Sequence, residues 1–163
     1  MKTLLILRHA KSSWKDTGLP DHERPLNKRG KGDAPRIGKL LRQQDLLPDL
    51  ILSSTAKRAR QTVDLLVDAS GYDGDVEYRD DLYFTDTEAY IHAVRELPDE
   101  IARVLVVGHN PDLEVLLDTL TGESASMPTA ALARIDFAIP SWRDLTAGVE
   151  GKLVDLWLPR QLD

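Results

Sequence analysis

Apolar residues along this chain follow two alternating rhythms. Thr3–Leu7, Leu50–Leu52 and Val104–Val107 are short continuous runs of strand length, the last of them β-branched. Apolar runs without alternation predict strands covered on both faces. Val76–Tyr78, bounded by Gly74 and Asp80, predicts a weaker strand, and Ala131–Phe137 and Lys152–Leu158 predict two more. Between these runs the spacing becomes helical. One apolar face is marked by Ala34, Ile37 and Leu41, and a second by Ala59, Val63, Leu66 and Val67. A third carries Tyr90, Ala93, Val94 and Leu97, and a fourth Leu113, Leu116, Leu117 and Leu120. Helix starts are signed by Asn27, by Asp86 with Thr87, and by Asn110-Pro111.

Strand and helix therefore alternate, which predicts an α/β fold: a three-layer α/β/α sandwich with a mostly parallel central sheet and helices on both faces. The 163 residues, 42% of them hydrophobic, suit one domain spanning 1–163, and no repeat, low-complexity tract or linker divides them. Ser70–Asp75 reads as a Gly/Asp-rich surface turn. Ala10–Leu26 is long for a connection in a compact domain, and ordered loops of that length are often functional.

Composition narrows the partners. With 21 Lys+Arg against 27 Asp+Glu, the formal charge of −6 argues against a nucleic-acid surface or a polybasic membrane patch, so any anion site must be local. A monomer is the expectation for a small acidic domain. The chain has no cysteine, hence no disulfide, thiolate metal site or Cys nucleophile. The apolar run near Met1 is too short for a signal peptide or a membrane span, and a cytoplasmic address is expected.

In open α/β sheets, ligands bind beyond the carboxyl ends of the strands. Arg8 and His9 follow the first strand here, Ser53-Ser54-Thr55 and then Arg58 follow the second, and Gly108-His109-Asn110-Pro111 follow the Val104 strand. Arg58 falls in the first turn of a helix, where the macrodipole disfavours a cation. That position makes sense if an anion also binds. A dianionic phosphoryl group fits, because guanidinium forks match phosphate oxygens and helix N-termini add N–H donors. The expected ligand is phosphate, bound without metal or cofactor. A neutral imidazole can attack phosphorus while a second one stabilises the equatorial oxygens, and His9 and His109 are the candidates for these two roles.

Other polar residues have simpler readings. Lys28, Arg29, Lys31, Arg36, Lys39, Arg42, Lys57 and Arg60 read as solvated helix faces, and His22 and His92 as structural. Ser53, Ser54 and Thr55 suit capping and turn hydrogen bonds, whereas Ser12 and Ser13 lie in the loop that must cover the pocket. No G-x-x-x-x-G-K-[ST] loop, G-x-G-x-x-G turn, G-x-S-x-G elbow or H-E-x-x-H helix is present.

Taken together, Arg8-His9-Ala10 after an apolar strand, the stretch Ser53–Thr62 (SSTAKRARQT) and Gly108-His109-Asn110-Pro111 resemble the histidine phosphatase (phosphoglycerate mutase-like) superfamily. Within it, the short length, the Asp21–Asn27 segment (DHERPLN) and the RHAKSSW opening are similar to the SixA-type phosphohistidine phosphatases. The resemblance implies that His9 is the transiently phosphorylated nucleophile and that Arg8, Arg58 and His109 surround the phosphoryl group. It also adds Arg24, which Pro25 biases towards an extended backbone.

One departure bears on substrate. Phosphomonoesterases and mutases of the superfamily carry a glutamate after the third strand as general acid, whereas the matching stretch here is Asp81-Leu82-Tyr83-Phe84-Thr85. Asp81, Asp86 and Glu88 are near enough in sequence to be candidates, though each reads more simply as a solvated or capping carboxylate. A missing acid matters least when the leaving group is an imidazole. The expectation is a metal-independent phosphatase acting on a phosphorylated protein through its phosphohistidine. The alternatives are a phosphatase of small phosphate esters and a phosphate- or phosphoprotein-binding module without catalysis.

Overall fold

The strands are β1 (Lys2–Arg8), β2 (Leu50–Ser54), β3 (Val76–Arg79), β4 (Arg103–Gly108), β5 (Leu132–Phe137) and β6 (Lys152–Trp157). The helices are α1 (Lys28–Gln43), α2 (Lys57–Ser70), α3 (Thr87–Arg95) and α4 (Asp112–Thr121). They are seen in a computed structural model, which describes residues 1–146 and 148–162. All six strands join one sheet in the order β3-β2-β4-β1-β5-β6. From β3 to β1 the pairing is parallel, whereas β5 runs antiparallel to both β1 and β6.

The apolar runs serve two cores. Leu4 and Ile6 of β1 pack with Tyr90 and Val94 of α3 and Leu113 and Leu117 of α4. Leu5 and Leu7 point the other way, towards Ile37 and Leu41 of α1 and Val63 and Leu66 of α2. In β4, Val104 and Val106 join the first cluster and Leu105 and Val107 the second. Side chains alternate across a strand, so a run buried throughout must be apolar throughout. Each fully buried Leu or Val contributes roughly 1.5–3 kcal/mol of transfer free energy. Two helices on each face supply the covering layers that the alternating pattern predicts.

Helix starts follow the expected chemistry at two sites and depart from it at a third. The Asn27 side chain accepts from Gly30 N at 2.9 Å, and Asp86 accepts from Ala89 N at 2.9 Å. Asn110 does not cap α4; its amide donates to Met127 O at 2.8 Å and ties the β4–α4 turn to the segment before β5.

The long Ala10–Leu26 connection is a folded arm. Ser12 pairs with Leu26 in an antiparallel bridge, Ser13 N donates to Pro25 O at 2.8 Å, and Asp21–Glu23 forms a 3₁₀ turn. Its base is pinned where Asn27 N donates to Lys11 O at 3.0 Å. The Lys11 carbonyl lies where a side chain on Gly30 would begin, so helix α1 approaches this closely only with glycine there.

Gly108 is the second glycine that decides a contact. The Tyr90 hydroxyl occupies the place of its missing Cβ, donates to Leu82 O at 2.9 Å and accepts from His109 N at 3.2 Å. Gly108→Ala is therefore expected to cost about 1–3 kcal/mol, the usual range for overpacking, and to displace His109. Chemical denaturation measures the first effect; an unchanged midpoint would contradict this packing.

A candidate phosphate-binding active site

Beyond the carboxyl ends of β1, β2 and β4 lies a cavity of about 220 Å³. Arg8, His9, Arg24, Arg58 and His109, the five residues singled out in the sequence, all line it, with Lys11, Ser12, Trp14, Asp21, Phe84, Asn110 and Thr129. Ser13 is not part of the wall; its carbonyl instead accepts from Arg24 Nε at 3.1 Å.

His9 is the first residue after β1, and its backbone is held at both ends. His9 N donates to Gly108 O at 3.1 Å, and Ala130 N donates to the carbonyls of Arg8 at 3.0 Å and His9 at 3.1 Å. The ring nitrogen Nδ1 lies 2.7 Å from Ala10 O. A carbonyl only accepts, so Nδ1 carries the proton and Nε2 keeps its lone pair. Burial comes first among the forces that pull its pKa down to about 3, with Arg58, Arg8 and Arg24 adding repulsion. His9 is thus a neutral base at physiological pH.

His109 stands at the end of β4, its ring centroid 5.1 Å from that of His9. Its Nε2 is 2.8 Å from Ser54 Oγ, and its Nδ1 is 3.5 Å from an Arg58 Nη. Burial, then His9 and Arg58, lower its pKa to about 3 as well. A guanidinium only donates, so in this structure Nδ1 accepts from Arg58 and the ring proton lies on Nε2, donated to Ser54 Oγ; Nδ1 would donate to a phosphoryl oxygen once Arg58 turns to the same anion and the Ser54 hydroxyl donates to Nε2 instead. Sequence reasoning assigned Ser54 to turn hydrogen bonding. It does accept from Ala56 N at 3.2 Å, but it also orients His109.

The three arginines differ in how firmly they are held. Arg58, in the first turn of α2, is almost fully buried and donates to Asp21 O at 2.8 Å and to Asp21 Oδ2 at 3.0 Å. Arg24 has the extended backbone that Pro25 favours (φ −69°, ψ 123°). It donates to Ser13 O, to Ser12 Oγ at 2.5 Å and to Asp21 Oδ1 at 2.9 Å. The indole of Trp14 lies 3.3 Å from its guanidinium carbon. Arg8 is engaged least: one Nη donates to Met127 O at 3.2 Å, and Nε is buried without a protein partner. A bound oxyanion would meet that donor's unmet demand.

Asp21 is a cavity residue whose part in the site sequence reasoning missed. Its carboxylate receives Arg24, Arg58 and, at 2.7 Å, the hydroxyl of Tyr83. Burial alone would raise its pKa, but the bonds from Tyr83, Arg24 and Arg58 outweigh it and bring the pKa down to about 2. The i,i+3 spacing of Asp21 and Arg24 was the available signal; the partners Arg58 and Tyr83 are distant in sequence.

The carboxylates considered as general acids lie elsewhere. Asp81 receives both Nε and an Nη of Arg79 at 3.0 and 2.8 Å, Asp86 caps α3, and Glu88 is exposed in that helix's first turn. None of the three lines the cavity. His22 does not line it either; its Nε2 is 2.9 Å from Thr55 Oγ1, which fastens the Asp21–Glu23 turn to the β2–α2 connection. Among the described residues, no three His, Asp or Glu side chains are grouped as metal ligands would be.

The lowered pKa values fix the sign of the acid response. Below about pH 6.5 the unfolded chain takes up protons at His9 and His109 that the folded one refuses, so stability falls as pH drops towards 3. Asp21 adds to the loss below its ordinary pKa of 3.8. Between pH 7 and pH 5 the expected loss is about 2 kcal/mol per histidine, read by denaturant titration. Side-chain NMR should find neither ring titrating from pH 8 to pH 5; a midpoint near 6.5 for His9 would refute its neutral burial.

Comparison with known proteins agrees with this geometry. Residues 4–86 match the family model of the histidine phosphatase superfamily (branch 1). An uncharacterized protein of Mycobacterium tuberculosis is 34% identical over 165 residues, covering 94% of this chain and all of the relative. SixA of Agrobacterium tumefaciens superposes with a TM-score of 0.84 at 33% identity, over 97% of this chain and 98% of that one. SixA of Nakamurella multipartitia gives a TM-score of 0.83 at 28% identity, over 97% and 96%. The assignment of both SixA proteins as phosphohistidine phosphatases is itself provisional. A matched half of the chain, a relative aligned along its full length and a site built from strand-end histidines and arginines lead to one conclusion: this chain belongs to the histidine phosphatase superfamily.

Proposed function

We propose that this protein is a phosphohistidine phosphatase, in which His9 Nε2 takes the phosphoryl group from the histidine of a phosphorylated protein and passes it to water. The lone pair of Nε2 forms the new N–P bond as the substrate's N–P bond breaks, and that electron pair returns to the leaving imidazole nitrogen. Water then attacks phosphorus, inorganic phosphate leaves and His9 is restored. Arg8, Arg24, Arg58 and His109 would hold the equatorial oxygens, the main electrostatic task in phosphoryl transfer.

The observation that carries this reading is the state of Asp21. Among the described residues it is the only carboxylate lining the cavity, and its three donors keep it ionised. An alkoxide leaving group needs a proton from an acid, which Asp21 is poorly placed to give. An imidazole that carries a proton on its other ring nitrogen leaves neutral and needs none. Cavity size supports the same choice. At about 220 Å³ it is smaller than the roughly 300–1,000 Å³ of pockets that enclose a drug-sized ligand, which suits a phosphoryl group and one ring with the rest of the substrate outside.

Steady-state rates on a phosphohistidine-bearing protein and on a panel of sugar phosphates test the proposal. A kcat/KM at least 100-fold higher for the phosphohistidine protein is expected, undiminished after exhaustive EDTA treatment. A preference for the sugar phosphates would overturn it in favour of an esterase.

A further inference from the structure

Two exposed aromatic rings stand at the mouth of the otherwise polar cavity. Trp14 is 70% exposed and Phe84 53%, and both line the pocket. Phe84 belongs to the connection after β3 and Trp14 to the arm after β1. In the sheet, β2 and β4 lie between those strands, and the segments that follow their carboxyl ends bring Arg58 and His109 to the floor. The rings therefore rise from opposite sides of that floor. Phe84 sits 5.0 Å from the His109 ring and 5.5 Å from the guanidinium carbon of Arg58, while Trp14 lies on Arg24.

Neither ring is explained by core packing. Phe84 has φ 46°, a left-handed backbone that bulky residues rarely adopt, and the chain is held in this reversal by Thr85 Oγ1 donating to Asp81 O at 2.6 Å. Leu82 turns into the core and Tyr83 reaches Asp21, which leaves Phe84 projecting beside the phosphate-binding groups. A large apolar ring in strained backbone at a polar mouth suits a planar partner bound there.

We infer that Trp14 and Phe84 are specificity-determining walls that stack the planar ring of the leaving group, so the site selects phosphoryl groups carried on a small heteroaromatic ring. This rests on the phosphatase reading above and names what that site prefers beyond phosphate itself. With the phosphoryl group held by the arginines, a ring attached to it emerges between the two aromatics. Stacking in offset or tilted geometry then holds the ring while the N–P bond breaks.

The test uses substrate pairs with and without a ring, and compares each variant's ratio with that of the wild type, so that the intrinsic difference between leaving groups divides out. Phosphoimidazole and phosphoramidate share an N–P bond, and p-nitrophenyl phosphate and glycerol phosphate are an ester pair with and without a ring. For Phe84→Ala and Trp14→Ala, the phosphoimidazole to phosphoramidate ratio of kcat/KM should fall about ten-fold, and Phe84→Tyr should restore it. Any effect of Trp14 on Arg24 alters both substrates of a pair and divides out. Ratios unchanged from wild type would overturn the inference. If the wild-type protein prefers the esters, the phosphohistidine reading fails, and the ester pair then decides the stacking: a fallen ratio supports the walls and an unchanged one removes them.

Discussion

Asp21 binds two guanidinium groups at once, one oxygen to Arg24 and the other to Arg58, and most of the site depends on that bridge. Three arginines around two buried imidazoles would repel one another strongly in a region poor in water. The carboxylate offsets part of that charge and fixes both forks relative to the β1 and β4 strand ends. With Arg24, Arg58 and Tyr83 donating to it, Asp21 stays ionised, while burial first, and then the nearby arginines, keep His9 and His109 neutral. A neutral His9 with Nδ1 tied to Ala10 O would need no deprotonation to act as the proposed nucleophile.

The fold contributes rigidity at the places where this balance is made. Arg8 and His9 leave a strand buried on both faces, and Ala130 N holds both of their carbonyls. Tyr90 packs into the space at Gly108 and reaches the His109 backbone, so a helix on one face helps to aim a ring at the rim. Thr62 of α2 donates to Arg58 O at 2.7 Å and accepts from Ala10 N at 3.0 Å, which links the helix carrying Arg58 to the residue after His9. These links are short and internal to the sheet edge, the arrangement that positions reacting groups most accurately.

What could be read from the sequence follows a physical division. Arg8, His9, Arg58 and His109 were legible because each stands at a strand end or in a first helical turn, positions that apolar periodicity locates. Arg24 was legible only through the resemblance of its segment to a family, since nothing local directs a loop arginine inward. Asp21, Tyr83 and Ser54 were not legible in their roles, because each is defined by a partner far away in the chain: Asp21 by Arg58, Tyr83 by Asp21, Ser54 by His109. Phe84 escaped for another reason. Its left-handed backbone normally signals Gly or Asn, and the sequence carries neither there. The strands were readable to within a residue or two: β1, β2 and β4 because burial on two faces writes itself as uninterrupted apolar sequence, and the more exposed β3 at the sheet edge because Gly74 and Asp80 bound it.

In the proposed reaction His9 itself carries the phosphoryl group during turnover. Mixing the protein with a radiolabelled phosphohistidine donor, quenching in base and mapping the label by peptide mass spectrometry addresses it directly. An acid-labile, base-stable phosphate is expected on the peptide bearing His9, attached at Nε2 and absent from His9→Ala. Label that persists in that variant, or turnover in it at the wild-type rate, would rule out His9 as the phosphoryl carrier.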